Sequence, residues 1–565
     1  VDGDHHPVTR GGTRRPRPSR RTWALAGLAS GPLLVLAVFF VLPVSGMVAR
    51  GLWVDGTFDP GGVLEVLARP RVGRVLAFTV GSALAGTALS LLLGLPAAYA
   101  LSRLALPGRR LVRSALLVPF VLPTVVVGVA FRQLLGEAGP LGFLGLDGTP
   151  VAIVLGLAFF NASVVVRGVG AAWESLDPRP GEAAAALGAS PAQVLRTVTW
   201  PALRPAVVSS ASVVFLFCAT AFGIVLTLGG VRHATVETEI YLLTTTLFDL
   251  RAAAALSLLQ IVVVAGLLLL TGRLRATAAP VERRAARPRR PRRSDLPACA
   301  TTGLLLLFVA TPLAALVVGS LRVGDGWGLA HYRALGSRGD GSGGGSALLV
   351  PVTEALVNSL RTAVDATAMA VALGLVLAVL VTRRSHGRLE RRLRSGVDAL
   401  FMLPLGVSAV TLGFGFLITL DRPPLDLRDS ALLVPVAQAL VALPLVLRTL
   451  VPVLAAVDDR LRQAAASMGA GPLRAWLTVD LPAVWKPLLA AGGFAFAASL
   501  GEFGATSFLA RDDRPTLPVV IFRLLGTPGQ LNYGMALAGS VVLAATTTLV
   551  VLAVERLRVP SVGAF

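Results

Sequence analysis

Glu182-Ala183-Ala184 is followed by Gly188 and then by Val198-Thr199-Trp200-Pro201, and the order returns at Gln463-Ala464-Ala465, Gly469 and Val479-Asp480-Leu481-Pro482, each position shifted by 281. Small residues ended by a glycine at this spacing predict a short helix, a sharp turn and a second short helix, packed closely under a partner. That is contact chemistry, not catalysis. A second feature is Glu502, ionisable within the apolar stretch Leu500-Gly501-Glu502-Phe503-Gly504, where the first copy reads Ala221-Phe222-Gly223. A carboxylate there costs several kcal/mol unless it faces a cavity or a partner. Glu502, Phe503 and Phe222 are therefore candidates for a translocation pathway, with an interhelical hydrogen bond as the alternative for Glu502. In a low-dielectric cavity the carboxylate would favour a cation and repel oxyanions such as molybdate or sulfate.

Other reactive residue types exclude more than they offer. Cys218 and Cys299 each sit in an apolar run, and the five histidines have no ligand spacing, so neither a disulfide framework nor a metal site is expected. The single lysine, Lys486, has no Gly-rich loop before it, which rules out a P-loop. ATP hydrolysis, if the protein depends on it, belongs to another polypeptide, and no cofactor is expected in this chain.

The elements that must carry these residues are apolar spans. With 54% hydrophobic residues over 565 and a mean hydropathy of +0.74, the chain reads as an all-α, polytopic integral membrane protein. Runs of about twenty apolar residues predict twelve transmembrane helices: one ending near Val48, then 75–100, 112–134, 150–170, 205–229 and 252–272, and after a linker 298–320, 356–381, 397–420, 431–455, 486–510 and 532–555. The net charge of +21 does not indicate nucleic acid, because the arginines cluster in short runs between spans. They mark the tail, the turn with Arg103, Arg109, Arg110 and Arg113, the linker from Arg283 to Arg293 and the loop from Arg383 to Arg394. By the positive-inside rule both termini and both repeated loops are cytoplasmic. The domains expected are a tail at 1–22, a first six-span unit at 23–272, a Pro/Arg-rich linker at 273–297 and a second unit at 298–565.

The duplication extends beyond the loops. Arg167 maps to Arg448, Phe222-Gly223 to Phe503-Gly504, Thr235 to Thr516 and Tyr241 to Phe522; an earlier stretch, at a shift of 285, pairs Pro119 with Pro404 and Gly128 with Gly413. Two parallel six-helix repeats are expected, facing each other across a pseudo-twofold axis along the membrane normal, where a transporter places its pathway. Arg361 and Asp365, one turn apart, are expected to pair, and Asn161 and Gln260 to bridge helices.

With these motifs in hand, the chain resembles the fused permeases of type I ATP-binding-cassette importers, nearest to the thiamine and ferric-iron group. The resemblance identifies Glu182, Ala183, Ala184, Gly188 and Pro201, and Gln463, Ala464, Ala465, Gly469 and Pro482, with the family's two EAA loops, which dock into ATPase subunits. Gln463 departs from the second Glu, keeping the hydrogen-bonding shape without the charge. The resemblance implies a non-enzymatic permease in the cell membrane, two ATPase subunits below it and an extracytoplasmic binding protein delivering a small solute. Val198 to Arg204 and the stretch Leu228 to Tyr241 lean toward thiamine; ferric iron is the alternative within the group. A secondary transporter would share twelve spans and parallel repeats but has no need of two EAA loops.

Overall fold

The computed structural model describes residues 20–54, 56–230, 232–276, 288–341, 345–382, 407–421, 423 and 425–556. Most of the 1–22 tail, the centre of the linker, the arginine loop from Arg383 to Arg394 and Pro404 lie outside the described residues. The first half contains α1 (Arg20–Leu36), running through a π turn into α2 (Leu42–Leu52), then α3 (Pro70–Arg103), α4 (Arg109–Val121), α5 (Thr124–Leu135), α6 (Pro150–Ser175), α7 (Arg179–Ala186), α8 (Trp200–Ala219), α9 (Gly223–Gly229), α10 (Val236–Thr245) and α11 (Leu250–Ala276). The second repeats the order with α12 (Leu296–Leu321), α13 (Val352–Thr382), α14 (Ala409–Thr419), α15 (Leu433–Ala456), α16 (Asp459–Ser467), α17 (Leu481–Leu500), α18 (Thr506–Leu509), α19 (Leu517–Gly526) and α20 (Gln530–Arg556). The only strands among the described residues are two small hairpins, Trp53–Val54 with Thr57–Phe58 and Arg322–Val323 with Gly326–Trp327. They close the first span of each half in the same way, which carries the duplication further toward the start of each half than the sequence match.

Among the described residues, ten helices are long and apolar enough to cross a membrane. The expected span 112–134 is instead two helices, α4 and α5, bent by 103°. Its cause is local: Leu122 precedes Pro123 and adopts ψ 138°, the extended conformation a residue before proline prefers. The span expected at 397–420 is described only from residue 407, where α14 forms its end. The spans expected at 205–229 and 486–510 are each broken near their middle, at Thr220–Phe222 and at Gly501–Ala505. Hydropathy gave little sign of these breaks: Thr220–Phe222 is nearly as apolar as its surroundings, and in Gly501–Ala505 only Glu502 departs from them.

Each half lends its first helix to the other. Leu36 and Phe40 are buried among Leu377, Phe416 and Leu440 of the second half, and the Phe39 ring lies 5.8 Å from that of Phe416. Reciprocally, Leu305 and Val309 of α12 are buried with Phe131 and Phe159 of the first half, where Phe308 reaches both rings at 6.1 Å. The entry of α12 is pinned there: Arg289 pairs its backbone with Arg103 and Ala105, and its guanidinium holds Asp295 at 2.7 Å, while the Tyr99 hydroxyl donates to Asp295 at 2.7 Å. The carboxylate keeps the Arg289 guanidinium protonated above its ordinary range. Elsewhere the helices approach closely over small residues, as where Gly94 backs onto Val165 and Gly374 onto Val446.

Arg361 and Asp365 are both exposed on α13 and form no ion pair. The basic residue stands N-terminal to the acid, the weaker order for a pair one turn apart. Asn161 bridges helices as expected, donating within α6 to Leu157 at 2.9 Å and across to Cys218 of α8 at 3.4 Å.

Candidate functional site

The two repeated loops have the same shape. In the first, α7 ends and the chain turns at Gly188 with φ +91°; Gly188 N–H donates to Ala185 and Ala189 N–H to Ala184. In the second, Gly469 has φ +83°, donates to Ala466, and Ala470 N–H donates to Ala465. Both are Schellman ends, in which a left-handed residue lets the last carbonyls find donors, and glycine alone reaches that conformation without strain. A helix of four residues follows in each, Pro191–Val194 and Pro472–Ala475, and then a π turn, Leu195–Thr199 and Trp476–Asp480, leading into α8 and α17 with Pro201 and Pro482 in their first turns.

The outer faces of these loops have no internal partner. Glu182, Ala183, Gln463 and Ala464 are exposed, Ala184 is half-buried and Ala465 is buried against the body. The Glu182 and Gln463 side chains make no intramolecular hydrogen bond among the described residues. Sequence reasoning missed the most exposed apolar side chains of the two loops: Leu187 is 90% exposed and Met468 82% exposed, at equivalent positions just before the two glycines. An apolar residue beside the turn in both copies was the available signal.

Different side chains brace the two loops. The first uses a capping box, with Ser190 N–H donating to Gln193 Oε1 at 2.7 Å and Gln193 N–H returning to Ser190 Oγ at 3.3 Å. The second uses an ionic clamp. Arg462 Nε donates to the buried Asp480 at 2.8 Å, and a further guanidinium nitrogen reaches Asp459. Burial alone would lower the Arg462 pKa; the Asp480 and Asp459 carboxylates outweigh it and leave it raised. Gly181 and Thr199 stand at the equivalent positions in the first loop, so the clamp has no counterpart.

The two breaks meet at the centre of the molecule. Phe222 and Phe503 are buried and stack on one another, with ring centroids 5.3 Å apart and planes at 25°. Equivalent residues of two repeats can touch only on the axis that relates them, so the pseudo-twofold axis passes between these rings. The neighbours obey the same symmetry: Tyr241 meets Phe222 at 5.4 Å and Phe522 meets Phe503 at 5.5 Å. Gly223 and Gly504 are needed beside them because a Cβ would lie 2.4 Å from Thr124 Oγ1 and 2.9 Å from Ala409 Cβ. Glu502 lies next to this stack, but its carboxylate turns to its own chain. It accepts from Ala505 N–H at 2.8 Å, from Thr506 N–H at 3.0 Å and from the Thr506 hydroxyl, capping the first turn of α18. Donors at a helix start favour a negative charge.

A helical bundle of two like halves, with ten apolar helices long enough to cross a membrane and an aromatic contact on their common axis, defines a polytopic membrane protein built as a tandem repeat. A family model described as "Binding-protein-dependent transport system inner membrane component" matches residues 90–276 and again 370–558. The chain belongs to this family, as a fused two-domain permease of an ATP-binding-cassette importer. It is 28% identical over 532 residues to the thiamine transport system permease protein ThiP of Brucella abortus (strain 2308), covering 90% of this chain and 92% of that protein. To the ThiP of Escherichia coli (strain K12) it is 29% identical over 533 residues, covering 91% and 93%. A crystal structure of a bacterial importer of the acidic polysaccharide alginate aligns with 46% of this chain and 98% of its own at 18% identity and a TM-score of 0.39.

Proposed function

We propose that the protein is the permease of a thiamine importer, with one ATPase subunit docked on each of the two loops and an extracytoplasmic binding protein delivering substrate to the opposite face. The pair of identical Schellman turns, each carrying an exposed apolar side chain beside a small-residue helix, is the observation that carries the docking role. Arg103, Arg109, Arg113 and Arg289 gather at the same end as the loops, bonding Leu176, Glu174 and Asp295. That concentration of positive charge supports a cytoplasmic position for the loops, and with paired crossings for both termini. The units 23–272 and 298–565, joined by the basic linker 273–297, then form one pathway on the pseudo-twofold axis. Closure of the ATPase subunits moves the loops, and α8 and α17 carry the movement to the Phe222–Phe503 contact.

Relatives named as thiamine permeases, matching over nine-tenths of both chains, support thiamine as the substrate. The test is uptake into vesicles holding the permease, its ATPase subunits and its binding protein, with labelled thiamine and ferric iron supplied separately. ATP-dependent accumulation of thiamine and not of iron is the expected result; iron uptake alone would move the protein to the other branch of the group.

A further inference from the structure

Two carboxylates on the first turn of α10 have opposite surroundings. Glu239 is held by the Arg71 guanidinium, with Nη2 at 2.9 Å. Glu237 is completely buried, and among the described residues its carboxylate accepts only from the Gln260 amide and from Ser408 Oγ at 2.9 Å. Neither donor is charged, and no backbone N–H of the described residues reaches the group, in contrast to Glu502. A carboxylate kept inside a membrane protein with neutral partners is costly, and such residues mark pathways more often than scaffolds.

Its place is on the boundary between the halves. Gln260 belongs to the first half and Ser408 to the second, and Thr411 closes the ring, its backbone N–H donating to Ser408 Oγ at 3.0 Å and its hydroxyl to the Gln260 side-chain oxygen at 3.4 Å. The duplication leaves this carboxyl group unmatched, since the position equivalent to Glu237 is Pro518. One turn further along α10, Tyr241 packs its ring against Phe222 of the axial stack and against Phe508, both at 5.4 Å. A carboxylate and aromatic faces on one helix, at an interface that must part when solute crosses, are the groups that recognise an organic cation.

We propose that Glu237, assisted by Tyr241, selects a cationic organic substrate in transit: as the halves separate, the Ser408 hydroxyl withdraws and the substrate's positive charge takes its place. This rests on the thiamine reading above. Vesicles with ATPase subunits and binding protein are offered thiamine or a neutral isostere in which carbon replaces the charged ring nitrogen, and the ratio of the two uptake rates is measured, because a ratio does not depend on how much protein folds. Glu237→Gln should lower that ratio at least tenfold and Tyr241→Leu severalfold, while Glu237→Asp keeps it. An unchanged ratio in Glu237→Gln overturns the proposal and leaves Glu237 as a bond between the halves; should that variant not reach the membrane, the ratio in Tyr241→Leu decides in the same way. Wild-type vesicles that hydrolyse ATP and import neither compound would defeat the thiamine reading and this inference with it, whereas wild-type thiamine uptake with unaltered ratios in the variants defeats the inference alone.

Discussion

Valine at Gly188 or Gly469 probes the docking turns with little disturbance elsewhere. At φ +91° and +83° a side chain with a branched Cβ is in the left-handed region, which costs an L residue about 1–2 kcal/mol. No heavy atom lies within 4 Å of either added Cβ, so crowding contributes nothing and the whole penalty is conformational. Relief comes by unwinding the turn, which gives up two backbone hydrogen bonds worth about 0.5–1.5 kcal/mol each. The two costs are comparable, so the turn is divided between its native and unwound forms, a shift of roughly 5–30-fold in population. The body of the bundle is untouched, and the variants should reach the membrane in normal amounts. In vesicles with ATPase subunits, the number of ATP molecules hydrolysed per solute imported should rise severalfold. Asparagine at the same positions, which tolerates the left-handed region, should stay near the wild-type ratio. Valine variants with normal coupling, or asparagine as damaging as valine, would refute the reasoning.

Leu187→Ser and Met468→Ser remove apolar groups that docking would bury at about 1.5–3 kcal/mol each, and should weaken binding of ATPase subunits by roughly ten- to a hundredfold in a titration. Arg462→Leu takes the guanidinium away from the buried Asp480 carboxylate, a loss of up to about 3–5 kcal/mol; thermal unfolding of the purified protein should shift down, and the double variant Arg462→Leu/Asp480→Leu should recover most of the loss. Phe222→Ala or Phe503→Ala opens the sealed stack, so vesicles should leak small solutes without ATP; vesicles as tight as wild type would show that the seal lies elsewhere. Glu502→Gln retains one acceptor for the α18 cap and should cost about 1 kcal/mol, with uptake following protein abundance; a specific loss of cation uptake at full abundance would instead place Glu502 in the pathway.

The helix–turn–helix shape of the two repeated loops was legible because its determinants are local: a glycine that must take positive φ, small residues before it, and a second copy confirming the register. The same duplication located Phe222 and Phe503, and the structure puts them in contact. What stayed hidden depends on tertiary neighbours. The break at Thr220–Phe222 leaves little trace in hydropathy, that at Gly501–Ala505 is marked only by Glu502, and the bend at Leu122-Pro123 interrupts a run that is continuous by composition. The exchange of α1–α2 and α12 between halves is a matter of packing partners, which periodicity does not encode. The partners of Glu502 could not be read from the sequence because two of its donors are backbone amides, while Glu237, within the stretch Leu228 to Tyr241, proves to be the carboxylate between the halves. The Arg462–Asp480 clamp escaped because it breaks the repeat, and the repeat was the guide.

The central claim is that this chain moves solute only when separate ATPase subunits work its two loops. Uptake of labelled thiamine should therefore be measured in vesicles containing the permease and binding protein, with and without the ATPase subunits, under an imposed proton or sodium gradient and with ATP supplied. Accumulation only when both ATPase subunits and ATP are present is the predicted result. Accumulation from an ion gradient with the permease alone would contradict it.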